Sequence, residues 1–347
     1  MKIWVTGHFL QLSDTEGAIY TAFIFYLMFS IVLATLAAVL TVYVAPGASG
    51  SGIPEIMGVL NGVKYPDIFT KRVLIVKVVG VMLAVSGTLC VGKEGPLVHI
   101  GACIAILCLE APFSFLAQFQ TDIYKREFIA AGASAGVAAA FGAPIGGALF
   151  AYEMSTPNTF WSFNLLWRNF FCSAVSTFSL GILTSLWHGL PVTLSDASVL
   201  KFGIMPEERP IPIYELVGAV ILGLICGILG AILIRVQIWL IKLRKLTLKR
   251  SWQKIVEVSL FAGLTATTFF MVSLSLNKCL PKSDPSFPFY HSARCSDREY
   301  SPVATLFFNT ESGTIRSMLS KAVSVNMYET TSFVMSWYLL FITTFGV

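Results

Sequence analysis

Charge is what this sequence has least of. Of its 347 residues only 12% are Asp, Glu, Lys or Arg, and 55% are hydrophobic. A soluble domain carries about 25% charged residues, so an ordinary soluble domain is excluded. The stretch from Gly17 to Val44 (GAIYTAFIFYLMFSIVLATLAAVLTVYV) contains no charge at all. The amino-terminal MKIWVTGHFLQLSDTEG lacks the basic-then-apolar layout of a signal peptide, and the first apolar run can serve that purpose itself. Catalytic signatures are missing too. There is no HExxH and no GxSxG, and His8, His99, His188 and His291 are too dispersed to hold a metal. His99 reads instead as a helix-packing residue. A membrane-embedded enzyme is therefore disfavoured, no catalytic or metal-ligating residue is assigned, and no cofactor is called for.

What is present is a series of apolar runs near or above the roughly 20 residues that cross a bilayer. After Gly17–Val44 they cover 72–92, 128–152, 160–187, 213–241, 255–277 and 332–347, with shorter, broken segments at 96–118 and 302–308. Runs of this length exclude a β-barrel, whose strands alternate and are short. The chain reads as an all-α polytopic membrane protein. The net charge of +5 is unevenly spread, because IKLRKLTLKRSWQK (241–254) holds six basic residues and no acid. Basic loops face the cytosol, and a nucleic-acid patch has no place between two spans. The polar loop at 278–301 then falls on the opposite side. It contains Cys279 and Cys295, a candidate disulfide in an oxidising compartment, while the other five cysteines lie in apolar segments.

Glycines cluster at 47–62, at 92–95 and within AGASAGVAAAFGAPIGG (131–147). Small residues let helices pack closely in lipid, which explains the last group. Gly–Pro–charge combinations do something else: they break helices, and broken backbone at membrane depth needs protein or a water-lined cavity around it. Discontinuous, re-entrant helices with a central ion site are the expected architecture. The polar, proline-rich stretch 191–212 divides the chain into a first membrane half at 17–190 and a second at 213–347. No repeat is visible between the halves, so an inverted repeat is inferred only from the habits of such folds. The chain ends in an apolar run at TTFGV, an ending that leads us to expect an incomplete sequence.

Three stretches carry the chemistry. In GSGIPE, Pro54 suits the first turn of a helix, and the preceding residues can present backbone N–H groups and the Ser51 hydroxyl to an anion. A dinucleotide loop is excluded there, because no strand precedes it and the spacing ends in glutamate. At VGKEGPLVHIGA (91–102), the overlapping pattern GTLCVGK (87–93) begins like a phosphate-binding loop but continues with Glu94, whose carboxylate would repel phosphate. Pro96 marks a new helix with Glu94 just outside its N-terminus, a place where an anion is favoured. The carboxylate can thus occupy the site of a permeating anion and vacate it, which makes Glu94 a tethered gate. A helix-capping acid, or an ion pair with Lys93, is the rival reading. In GVAAAFGAPIGGALFAYEM, Pro144 and its glycines break or kink a helix that ends in Glu153. That acid is either functional or merely reaching an aqueous interface.

GSGIPE, GKEGP and G-x-F-x-A-P-I-G-G-x-L-F, in this order and spacing, resemble the CLC family of chloride channels and chloride/proton exchangers, as do FWSFNLLWRNFFCSAVSTF and REYSPVATLFFNTESGTIRSMLS. The likeness is strongest to the organelle and plant branches and runs from about residue 17. It implies a CLC-type inverted repeat, a homodimer in the bilayer of an endosomal or vacuolar membrane, and chloride as the transported ion. It implies that Ser51, Gly52, Ile53, Gly95, Pro96 and Leu97 line the anion site, with the N–H groups after Pro96 contributing. Serine rather than proline at 51 points to chloride over nitrate. It implies that Glu94 gates and, in exchangers, carries the proton. Exchangers usually have two consecutive acids where this chain has Glu153 and Met154. Methionine cannot carry a proton, which tilts the reading towards passive conduction, with Glu153 as the remaining proton-pathway candidate and exchange as the alternative. The family's first helix, a downstream G-x-F-x-P segment, a coordinating tyrosine and a cytosolic CBS pair have no counterpart in the sequence, so a fragment is expected.

Overall fold

The computed structural model describes residues 19–112, 114–155, 162–187, 189, 213–276, 278–283, 290–296, 298–319, 323–324 and 326–344. The connector 191–212 lies outside these residues, as do His8 and His188. The described residues contain twelve α-helices and one two-residue hairpin pairing, Leu280–Pro281 with Glu299–Tyr300. Four helices are long and apolar enough to cross a membrane: α1 (Ile19–Val39, continued by a π-helical turn to Val44), α7 (Phe163–Trp187), α8 (Ile213–Thr247) and α9 (Ser251–Ser275). The others are α2 (Ile53–Leu60), α3 (Lys71–Ser86), α4 (Glu94–Leu109), α5 (Asp122–Phe141), α6 (Pro144–Ser155), α10 (Pro302–Phe308), α11 (Glu311–Leu319) and α12 (Met327–Thr344).

The described residues form two compact units, one from those within 36–83 and 92–201, the other from those within 1–35, 84–91 and 202–347. In the first unit α4, α5, α6 and α7 pack through small residues. A methyl group on Gly101 would run into the Gly132 carbonyl, and one on Gly147 would lie 2.6 Å from the Ser134 carbonyl oxygen. Backbones this close leave room for dispersion contacts along their whole length, the usual glue of helices in lipid. Ser134 and Ser173 share a hydrogen bond, and the Ser176 hydroxyl donates to the Ala135 carbonyl at 3.1 Å. Ile56, Leu60, Val98, Ala102, Ile106, Ile129, Ala133 and Met154 form the apolar centre.

The apolar run 128–152 is two helices rather than one. α5 stops at Phe141 because Gly142 adopts the left-handed conformation (φ 63°). Pro144 then opens α6, at a position where its missing N–H costs nothing. The run 72–92 also ends early, at Ser86, and Thr88 (φ 60°) turns so that its hydroxyl donates to Ser30 Oγ at 3.1 Å.

The second unit has an aromatic core in which Phe269, Phe307 and Phe333 meet edge to face, with ring centroids 5.1 and 5.0 Å apart. Its polar loop is closed by a Cys279–Cys295 disulfide and pinned to α10. The His291 amide donates to Thr305 Oγ1 at 3.2 Å, His291 Nε2 bonds Asn309 Oδ1 at 3.2 Å, and the Ser301 amide donates to the His291 carbonyl at 2.9 Å.

Candidate anion site

The site is assembled within the first unit from a loop and two helix beginnings. After the π-helical turn at Leu40–Val44, the chain makes a short 3-10 turn at Pro46–Ala48 and enters the glycine-rich loop. Gly52 caps α2 with φ 83°, a conformation that turns the chain sharply into the helix and that a side chain would strain. A methyl group there would also overlap the buried imidazole of His99. Pro54 sits in the first turn, and the Ile53 amide donates to Ser51 Oγ at 3.4 Å.

α4 supplies the second helix beginning. Its first residue is Glu94 itself, with Lys93 as the cap, so the glutamate stands one position further into the helix than the sequence indicates. Proline tolerates the third position as well as the first, since none of the opening N–H groups has an intrahelical acceptor. The Leu97 amide already donates to the Lys93 carbonyl at 3.1 Å. The donors left at this end are therefore the amides of Lys93, Glu94 and Gly95, because Pro96 has none.

These two beginnings touch. A methyl group on Gly95 would lie 2.7 Å from Ser51 Cβ and 3.6 Å from Ile53 Cδ1. Ser51, Gly52, Ile53 and Gly95, far apart in the chain, are thus brought together. The Glu94 carboxylate folds back over the turn, with Oε2 2.9 Å from where a Gly92 methyl would be. Among the described residues no ion pair joins it to Lys93. Each helix N-terminus carries roughly half a positive charge, so two together balance about one monovalent anion.

One residue of this site escaped the sequence reading. Lys77, in the middle of apolar α3, is 2% exposed. Its Nζ donates to the carbonyls of Gly50 at 2.8 Å, Ala48 at 3.0 Å and Ser49 at 3.4 Å. An ammonium has three N–H groups, and here all three hold the loop that precedes Ser51. The available signal was a lone charge inside VLIVKVVGV, which at membrane depth marks function by default. His99 packs edge-on against Phe69 with centroids 5.8 Å apart. On α6, Met154 is buried in the apolar cluster that also holds Ile56 and Val98, whereas Glu153, its neighbour in sequence, is exposed.

Residues 33–347 match the family model described as "Voltage gated chloride channel". The chain belongs to the voltage-gated chloride channel (CLC) family. It is 38% identical over 288 residues to "H(+)/Cl(-) exchange transporter 7" of Homo sapiens, covering 81% of this chain and 36% of that protein. It is 33% identical over 366 residues to "Chloride channel protein CLC-d" of Arabidopsis thaliana, covering 97% of this chain and 46% of the relative. The chain therefore spans between a third and a half of these CLC relatives. Among solved structures, a eukaryotic CLC transporter matches with a TM-score of 0.57 at 24% identity, over 80% of this chain and 48% of that one. A cyanobacterial Cl-/H+ antiporter matches at 0.56 and 21%, over 98% and 79%. Identities this low speak for the fold alone: an all-α CLC membrane architecture with discontinuous helices.

Proposed function

We propose that this chain forms the anion pathway of a chloride transporter that exchanges chloride for protons, with Glu94 as the moving gate and proton carrier. The observation that carries it is the meeting of two helix N-termini at Ser51 and Gly95, with Glu94 the first residue of the second helix. Amides at the starts of α2 and α4, with the Ser51 hydroxyl, supply donors to a halide. Glu94 competes for the same donors when ionised and withdraws when protonated, which couples anion movement to protonation. Exchange is favoured by relatives that are themselves named H(+)/Cl(-) exchange transporters. A homodimeric assembly in an intracellular membrane, with membrane halves at 17–190 and 213–347 joined by the connector 191–212, goes with this reading. The family is one of transporters and channels, not enzymes.

Passive conduction is the second reading, and Met154 favours it. A thioether buried in an apolar cluster cannot relay a proton, and exposed Glu153 would have to replace it. Proteoliposomes with a chloride gradient separate the two. Exchange predicts proton movement against its own gradient, at a fixed ratio to chloride. Chloride flux with no proton movement would replace exchange with conduction, and Met154→Glu should then be tested for a gain of coupling.

A further inference from the structure

The basic turn between α8 and α9 takes no part in the anion site. α8 is 35 residues long, about 52 Å at 1.5 Å per residue, against a hydrocarbon layer about 30 Å thick. Its final turns must therefore leave the hydrocarbon, and they carry Lys242, Arg244 and Lys245. α9 begins at Ser251, with Lys249 and Arg250 before it and Lys254 in its first turn. Arg244 is engaged inside the unit. Its Nε donates to Glu257 Oε1 at 2.7 Å, its Nη2 donates to the Thr343 carbonyl at 2.6 Å, and it lies over the Phe261 ring. Glu257 is the first acid after this basic stretch, so no other carboxylate is near in sequence. Lys242, Lys245, Lys249, Arg250 and Lys254 are all exposed, and none forms an ion pair among the described residues. Set among them are two bulky apolar side chains, Leu246 (72% exposed) and Trp252 (53% exposed).

In water this arrangement is doubly unfavourable, with five like charges side by side and two uncovered apolar groups. At a bilayer surface both problems disappear. An indole ring partitions to the headgroup level, and anionic headgroups neutralise the cations. We propose that the α8–α9 turn is a binding surface for anionic phospholipid headgroups, with Trp252 and Leu246 as its interfacial anchors. The positive-inside tendency puts it on the cytosolic leaflet, where anionic lipids are concentrated. A nucleic acid or an acidic peptide would satisfy the cations but would give the two apolar side chains no role. The surface follows from the turn alone and stands whichever ion the protein moves.

Tryptophan quenching by brominated lipids tests it. The protein is reconstituted in phosphatidylcholine vesicles in which a minor fraction is either brominated phosphatidylserine or brominated phosphatidylcholine. Subtracting the Trp252→Phe signal isolates Trp252. At about 0.1 M salt the serine lipid should be enriched at Trp252 by roughly fivefold or more, and near 1 M salt the two lipids should approach parity. Replacing Lys242, Lys245, Lys249, Arg250 and Lys254 together by Gln should abolish the preference, and exchanging Lys and Arg at the same positions should preserve it. Equal quenching by both lipids in the wild type overturns the proposal. So does a preference that survives loss of all five charges, or one erased by low concentrations of inositol hexakisphosphate, which would assign the turn to soluble polyphosphates. If the Gln variant does not fold, the wild-type lipid comparison and its salt dependence decide alone.

Discussion

At the scale of single residues the anion site depends on groups that hold backbone in place as much as on those that face the ion. Lys77 satisfies three carbonyls of the loop at Ala48–Gly50. Replacing it by methionine keeps the shape of the stem and removes all three donors. Unpaired buried carbonyls and the lost charge should together cost about 3 kcal/mol of stability. Chloride binding should weaken at least tenfold, read by calorimetric titration on protein that still elutes as the native assembly. Unchanged affinity would mean that the loop keeps its shape without the lysine. Lys77 also shows what a sequence hides. Its partners lie 27 to 29 residues away, and within α3 it resembles a blemish in an apolar run.

At the scale of elements, the sequence made the breaks visible more readily than the boundaries. Glycine and proline together announced that helices begin inside the membrane segments, and α2, α4 and α6 do begin there. Gly52 caps α2, Pro144 opens α6, and Gly95 and Pro96 lie in the first turn of α4 behind its cap, Lys93. The residues on both sides of Gly142 are equally apolar, so it was Pro144 and its glycines, not hydropathy, that marked the break in the run 128–152 which the structure resolves into α5 and α6. The left-handed turn at Gly142 ends α5, and Pro144 opens α6. Gly142→Ala should cost about 1–2 kcal/mol through that conformation, seen as a lower melting temperature. The end of α3 at Ser86 was invisible, because a hydroxyl of Thr88 bonding a serine 58 residues away leaves no mark in local pattern.

The loop at 278–301 yields a pH prediction. Burial lowers the basicity of His291 below its ordinary pKa of 6.5, only partly offset by the bond to Asn309. The folded loop thus prefers the neutral imidazole. Stability from this group is complete above about pH 6.5 and declines as pH falls from there towards the lowered folded value, where the unfolded chain takes up the proton first. Melting temperature should drop with acidification over that window in the wild type and drop less in His291→Gln. Parallel curves would remove His291 from the account. Reducing the Cys279–Cys295 bridge, which closes 16 residues of sequence, should destabilise the same loop by about 3 kcal/mol.

At the scale of the whole molecule, two compact units are held by different chemistry. One is held by close-packed glycine, alanine and serine, the other by aromatic stacking and a disulfide. Membership in the CLC family was legible from three motifs in order. The choice between exchange and conduction was not, because it turns on Met154, one apolar side chain whose consequence depends on water and proton routes rather than on fold.

The central claim is that the Glu94 carboxylate and a halide compete for one set of helix-end donors. Chloride flux through reconstituted Glu94→Ala protein, followed from neutral to acidic pH, tests it most directly. The account predicts flux at least as fast as wild type, independent of pH and without proton movement. A variant that keeps the wild-type pH dependence, or still moves protons with chloride, would contradict it.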